Sequence, residues 1–288
     1  MLNIVFWTNC QGSSIIYTLQ KYYNNLFSIN SFLNYEYITN KLELPSMFKE
    51  ADIFIYQNYS DKPDSIYDLK YIFDILKVGC KKICIPFLQF DAIFCYGNIS
   101  PNNYKTISED YPHGKFFYGL DLIDKQMDNV NYSNLSENEF NKIVDNIYNH
   151  LTSDNIISEE TIIYYHNRSF EYLKNKILSS DIPELYDYIK DNYMKVRLFH
   201  NRNHPTGILL NEMIKHIFKI LNLEYYDTTN ELETKLNDWV MPILPCVNKY
   251  YNFEFNTNNC SSWYNKNILD MKTFIRYYIE DLYIKLIL

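Results

Sequence analysis

Apolar residues follow two different rhythms along this chain. Over roughly the first 86 residues they gather into short runs, nearly continuous at Leu2 to Trp7, Ile53 to Tyr56 and Lys82 to Pro86 and interrupted by polar residues near Phe27 to Leu33. Runs of this length bounded by turn residues predict strands, and strands apolar on both faces belong to a parallel sheet covered on both sides. Between them the spacing becomes helical. Ile15, Ile16, Leu19, Tyr22 and Tyr23 fall on one face of a helix that Ser13 or Ser14 is placed to cap. A short helical stretch is expected over Leu42 to Lys49 and another helix over Ile66 to Lys77.

Beyond residue 130 the helical period takes over. Ser136 to Glu139 has the form of a capping box, and it opens a face made of Phe140, Ile143, Val144, Ile147 and Leu151. Further helices are expected from Glu159 to Leu178, Pro183 to Asn192 and Thr206 to Leu223, the last with Thr206 as its N-cap. Met241 to Pro245 reads as extended chain, Asn248 to Asn259 as a loop, and Thr273 to Leu288 as a terminal helix. The fold class is therefore α/β: a small parallel sheet flanked by helices in the N-terminal half and a mostly helical C-terminal half. Residues 1–125 form the α/β part, 126–240 a helical part and 241–288 an extension, within one integrated domain.

Composition narrows the classes of function. The formal net charge of -8 argues against a nucleic-acid binder, since phosphate neutralisation requires clustered Lys and Arg. No run approaches the roughly 20 apolar residues of a membrane span, and the opening residues lack the basic start of a signal peptide. The six cysteines follow neither a disulfide framework nor a zinc spacing, so a reduced, cytoplasmic setting is expected and no metal is assigned. The 29 tyrosines are scattered, so they identify no particular groove, and a homo-oligomer is left open.

Chemistry concentrates in two islands. Thr8-Asn9-Cys10-Gln11-Gly12 follows the first strand, which places a thiol at a helix N-terminus, where N–H groups and the macrodipole favour a thiolate. A small buried cysteine is the bland alternative. His200-Asn201-Arg202-Asn203-His204 precedes a helix, and the spacing lets Asn201 or His200 orient the His204 imidazole. A capping or surface histidine is the alternative there. Asn9, Gln11 and Gly12 are candidates to hold an oxyanion, and Gln57, Asn58 and Asp91 follow later strands toward the same sheet edge as candidate substrate contacts. Only four arginines occur, and Arg168, Arg197 and Arg202, with Asn203 and His200, are the candidates for a phosphorylated ligand.

The order Asn9-Cys10-Gln11, Ala51 to Gln57, Ile85-Pro86-Phe87 and Asn203-His204-Pro205-Thr206 resembles the WcbI-type polysaccharide biosynthesis family over about residues 1–225. The family's usual Gly-Asn-Cys-Gln stands here as Thr8-Asn9-Cys10-Gln11. The resemblance implies an SGNH-hydrolase-like fold that binds coenzyme A or acetyl-CoA. It also implies acetyl transfer to a hydroxyl of a capsular or surface polysaccharide precursor, with His204 as general base and Cys10 as nucleophile or acyl-site residue. SGNH-type enzymes place an acidic residue three positions before the catalytic histidine, and Asn201 holds that place here. A carbohydrate esterase would use the same residues with water as acceptor. A non-catalytic CoA- or glycan-binding subunit would fit the missing acidic orienter.

Overall fold

In the computed structural model the described residues are 1–58, 66–95, 103–108, 121–128, 130, 135–237, 239–262 and 265–284. The chain opens with β1 (Leu2–Thr8), α1 (Gly12–Tyr23), β2 (Phe27–Leu33), α2 (Asn34–Asn40), β3 (Ile53–Tyr56), α3 (Leu69–Ile75) and β4 (Lys81–Cys84). It continues with α4 (Asp121–Met127), α5 (Glu137–Leu151), α6 (Glu159–Leu178), α7 (Leu185–Asn192), α8 (Gly207–Leu221) and α9 (Thr229–Leu232). The last elements are α10 (Pro245–Tyr251), the strands β5 (Cys260–Ser262) and β6 (Asn265–Leu269), and α11 (Met271–Ile279). This is the α/β class expected from the apolar rhythm: four parallel strands in the N-terminal half, with helices dominating the rest.

The chain divides into two compact units. The first holds Met1–Gln89, Glu171–Asp191 and His204–Leu236; the second holds Phe90–Phe170, Asn192–Asn203 and Asn237–Leu288.

In the first unit the sheet order is β2-β1-β3-β4. Ile4, Val5, Phe6 and Trp7 are each at most 1% exposed, so β1 is covered on both faces as its unbroken apolar run requires. Trp7 packs edge-on against Tyr37 and Phe48, with ring centroids 5.4 and 5.5 Å apart. Burial of each such large side chain stabilises the unit by about 1.5–3 kcal/mol. The chain winds one way from β1 to β2 and the other way toward β3 and β4. The crevice where the winding reverses therefore lies at the carboxyl ends of β1 and β3, where parallel sheets take their ligands.

One expectation in this unit is corrected. The helical stretch placed at Leu42 to Lys49 is split, because Pro45 disfavours helix at Leu44. Instead α2 starts directly after β2 and ends at Lys41 in the left-handed region, and a 3₁₀ turn covers Ser46–Glu50.

In the second unit α5 carries the expected capping box: Ser136 N–H donates to Glu139 Oε2 at 2.9 Å and Glu139 N–H to Ser136 Oγ at 3.3 Å. Helix α11 packs on α5, where the Arg276 guanidinium bonds Asn141 and Glu137 and lies 4.8 Å over the Phe140 ring. The loop expected at Asn248 to Asn259 is in part α10, started by Pro245 at its first turn and closed by Asn252 in the left-handed conformation. The antiparallel pair β5–β6 was not expected from the sequence pattern. The expected terminal helix is α11 followed by a π turn over Glu280–Ile284, and residues 285–288 lie outside the described residues. Among the described residues no helix is long and apolar enough to cross a membrane.

Candidate active site

The chain leaves β1 at Thr8 and enters α1 at Gly12, so Cys10 lies at the apex of a tight strand-to-helix turn. The turn is closed by Gly12 N–H to Asn9 O and Ser13 N–H to Cys10 O, both 3.1 Å. Gly12 is required for packing: a Cβ there would lie 2.0 Å from Thr8 Oγ1. Thr8, standing where the resembling family has glycine, thus fills the space that Gly12 leaves open. Neither Ser13 nor Ser14 caps the helix as expected. Ser13 Oγ instead donates to Cys10 O at 2.7 Å. Gly12, expected at an oxyanion, has its N–H committed to Asn9 O.

His204 stands just ahead of α8 in the same unit, and its ring is fixed at both nitrogens. Nδ1 lies 3.1 Å from the Leu236 carbonyl oxygen and Nε2 lies 3.8 Å from Cys10 Sγ. A carbonyl only accepts, so Nδ1 carries the proton and Nε2 turns its lone pair toward the thiol. This is the arrangement of a base set to take the proton of Cys10. The orienting group at Nδ1 is a main-chain carbonyl rather than the side chain of Asn201 or His200.

The expected thiolate is corrected. Burial pushes the Cys10 thiol up to about 11, against the smaller opposing pull of the backbone N–H groups of Cys10 and Gln11. At neutral pH the sulfur of Cys10 is therefore held as a thiol.

Three amides knit the strand ends beneath the turn. Gln57 Oε1 accepts the Asn9 N–H at 2.7 Å, while Gln57 Nε2 donates to Gln11 Oε1 at 3.2 Å and Pro86 O at 3.0 Å. Gln11 Nε2 donates to Leu88 O at 2.8 Å, and Leu88 N–H returns a bond to Gln11 Oε1 at 3.1 Å. Gln11 and Gln57 are 0% and 1% exposed, and these bonds join the ends of β1, β3 and β4. Asn9 differs. Gln11 N–H donates to Asn9 Oδ1 at 2.9 Å, which fixes the amide orientation, and Asn9 Nδ2 has no hydrogen bond among the described residues. Asn58 is exposed, and its backbone N–H bonds the sulfur of Cys84.

The remaining candidates belong to the second unit. Asp91 Oδ1 pairs with Arg202 Nε at 2.6 Å, and the Asp91 N–H donates to Ser169 Oγ at 3.1 Å. Asp91 and Arg202, expected at the substrate and at a phosphate respectively, thus hold one another. The Arg197 guanidinium, expected at a phosphate, donates to the carbonyls of Phe199, His200, Met241 and Asn259. Asn201 ties its own loop, donating from Nδ2 to Trp239 O at 2.9 Å and accepting the Asn203 N–H at 3.1 Å. His200 is buried, and its carbonyl accepts the Met241 N–H at 2.8 Å. Arg168 is exposed on α6 and has no hydrogen bond or ion pair among the described residues.

Leu236 was missed by the sequence reading, and no sequence signal exists for it, because it acts through its carbonyl. Among the described residues no group of three or more His, Cys, Asp or Glu side chains is placed to hold a metal ion.

No protein-family model matches the chain, and no curated protein matches it in sequence. A solved structure does resemble it: WcbI, described as a novel polysaccharide biosynthesis enzyme, in its native form without a disulfide bond between coenzyme A and a cysteine. The two superpose with a TM-score of 0.64 at 15% identity, covering 97% of this chain and 89% of that one, which places this chain among proteins of WcbI-like fold.

Proposed function

We propose that this protein transfers an acyl group, acetyl in the simplest case, from coenzyme A to a hydroxyl of a carbohydrate used in surface or capsular polysaccharide synthesis. The observation that carries the reading is the placement of His204 Nε2 at 3.8 Å from Cys10 Sγ with its tautomer set by Leu236. The WcbI-like fold supports it, because that enzyme is described both by polysaccharide synthesis and by coenzyme A.

In the proposed cycle the Cys10 thiol attacks the thioester carbonyl as Nε2 takes its proton. The C–S bond to coenzyme A breaks and the departing thiolate recovers that proton from the imidazolium. The sugar hydroxyl then attacks the acyl-Cys10 thioester while Nε2 takes the hydroxyl proton, the new C–O bond forms, and Cys10 leaves and is reprotonated. Asn9 Nδ2 is the donor available to the developing oxyanion in both halves. A fully partnered amide such as Gln57 is not suited to that task.

Calorimetric titration with coenzyme A and acetyl-CoA tests the reading. Binding, followed by mass-spectrometric detection of an acetyl group on Cys10, is the expected result. No binding of either ligand would reject a CoA-dependent reaction.

A further inference from the structure

The segment Thr228–Leu236 touches both helices that flank the candidate dyad. Toward α1, which begins just after Cys10, Lys21 pairs with Glu231 at 2.6 Å, Lys235 lies 4.0 Å over the Tyr17 ring, and the Thr18 and Thr228 hydroxyls are 3.5 Å apart. Toward α8, which begins just after His204, Asn211 Oδ1 accepts the Thr228 N–H at 3.1 Å, and Glu233 Oε2 accepts the Gly207 N–H at 2.7 Å. The same segment ends in the Leu236 carbonyl that orients His204.

The contact at Gly207 is unusually close. A Cβ there would lie 2.4 Å from the Thr229 carbonyl oxygen and 2.6 Å from the Glu233 nitrogen. Thr206, expected to cap α8, makes no side-chain capping bond, and Glu233 satisfies the first free N–H of the helix from outside it. The turn that carries His204 is thus tied by one carboxylate to a compact run of helical turns, in which Glu233 N–H bonds Thr229 O and Lys235 N–H bonds Leu232 O, both at 3.0 Å. Leu236 follows that run directly.

We propose that Glu233 is a positioning residue for His204. By holding Gly207 it fixes the start of α8 against the segment that supplies the Leu236 carbonyl, and so sets both the tautomer of the imidazole and its reach to Cys10. The inference deepens the proposed use of the Cys10–His204 pair and rests on that pair being functional. Glu233 does not touch Cys10; it acts through the backbone of residues 204–207 and 233–236.

The test reads the pair without any substrate. Alkylation of Cys10 by iodoacetamide is followed by mass spectrometry of its peptide across pH 5–10 in the wild type, Glu233→Gln and Glu233→Ala. The expected wild-type profile rises as the imidazole loses its proton, then levels off. Glu233→Ala loses that rise, so that Cys10 behaves as an isolated buried thiol, whereas Glu233→Gln keeps it because its amide oxygen still accepts from Gly207. Thermal melting of each variant separates loss of position from loss of fold. A folded Glu233→Ala with the full wild-type profile would overturn the inference while leaving the dyad intact. A wild-type profile with no imidazole-dependent rise would overturn the dyad itself and the inference with it.

Discussion

The imidazole of His204 meets the sulfur of Cys10 at 3.8 Å although the two residues are 194 positions apart in the chain. The contact arises because β1 delivers Cys10 to the carboxyl edge of the sheet and α8 starts at the same place in the first unit. Since burial holds the thiol up at about 11, neither residue is activated alone.

That coupling gives the first prediction. Modification of Cys10 at pH 7 is expected to fall by about 10²-fold or more in His204→Ala, in line with the usual contribution of a positioned base. The variant's reactivity should return only as the pH approaches the thiol's own value of about 11. Equal reactivity of wild type and variant at pH 7 would show that the imidazole does not serve the thiol.

Asn9 carries the second prediction. Its Oδ1 is held by Gln11 N–H and its Nδ2 has no partner among the described residues, so Asn9→Ala removes a donor while the turn keeps its other bonds. Loss of one oxyanion donor lowers kcat by about 10²–10³-fold. Coenzyme A affinity should change little, and a calorimetric Kd weakened as much as kcat would assign Asn9 to ground-state binding instead.

The buried amides give a prediction about stability. Gln57→Leu has nearly the right shape, but it strips the partner from the Asn9 N–H and from the Pro86 carbonyl, and leaves Gln11 Oε1 with the Leu88 N–H, in a region closed to water. Each buried group left unsatisfied costs about 1–3 kcal/mol. Urea denaturation should show a loss of several kcal/mol, and a loss below about 1 kcal/mol would mean that the network relaxes around the change.

The sequence exposed the strands more clearly than the site. Continuous apolar runs located β1 and β3 almost to the residue, because a strand buried on both faces leaves few polar positions to blur its limits, whereas the edge strand β2 carries Ser28, Asn30 and Ser31 and is only partly buried. The short helices α2 and α10 were misjudged because a single proline or a left-handed residue sets their ends. At the site, Cys10 and His204 were visible because a thiol and an imidazole stand in turns between apolar elements. The roles of Gln11, Gln57, Arg197 and Leu236 were not visible. Each depends on which main-chain groups a distant loop brings within about 3 Å, and residue type does not encode that.

Buried thiols predict how stability depends on pH. Burial raises Cys10 from an ordinary value of 9.0 to about 11, and Cys95 and Cys260 to about 12. The folded state therefore holds these protons more tightly than the unfolded chain, so their contribution is fully present below pH 9 and is lost as pH rises through 11 to 12. Melting temperature should fall above pH 9, and less steeply in Cys260→Ala than in the wild type. Parallel slopes for the two proteins would show that this thiol ionises as readily in the folded state as in the unfolded one.

The last prediction concerns the pair Thr8 and Gly12, which share one space at the entrance to α1. A methyl on Gly12 would sit 2.0 Å from Thr8 Oγ1 and 2.9 Å from Thr8 Cβ, so Gly12→Ala has to push the helix away from the strand end. Overpacking of this kind costs about 1–3 kcal/mol, and it would also carry Cys10, two residues earlier, away from His204. Thr8→Gly opens the space that the added methyl needs, because it removes both of the crowding atoms. The double variant Thr8→Gly/Gly12→Ala should therefore recover stability and Cys10 reactivity relative to Gly12→Ala alone, with a coupling of about 1–3 kcal/mol. Additive losses in the double-mutant cycle would mean that the two residues do not compete for the same space. The close approach of α1 to β1 would then need another cause.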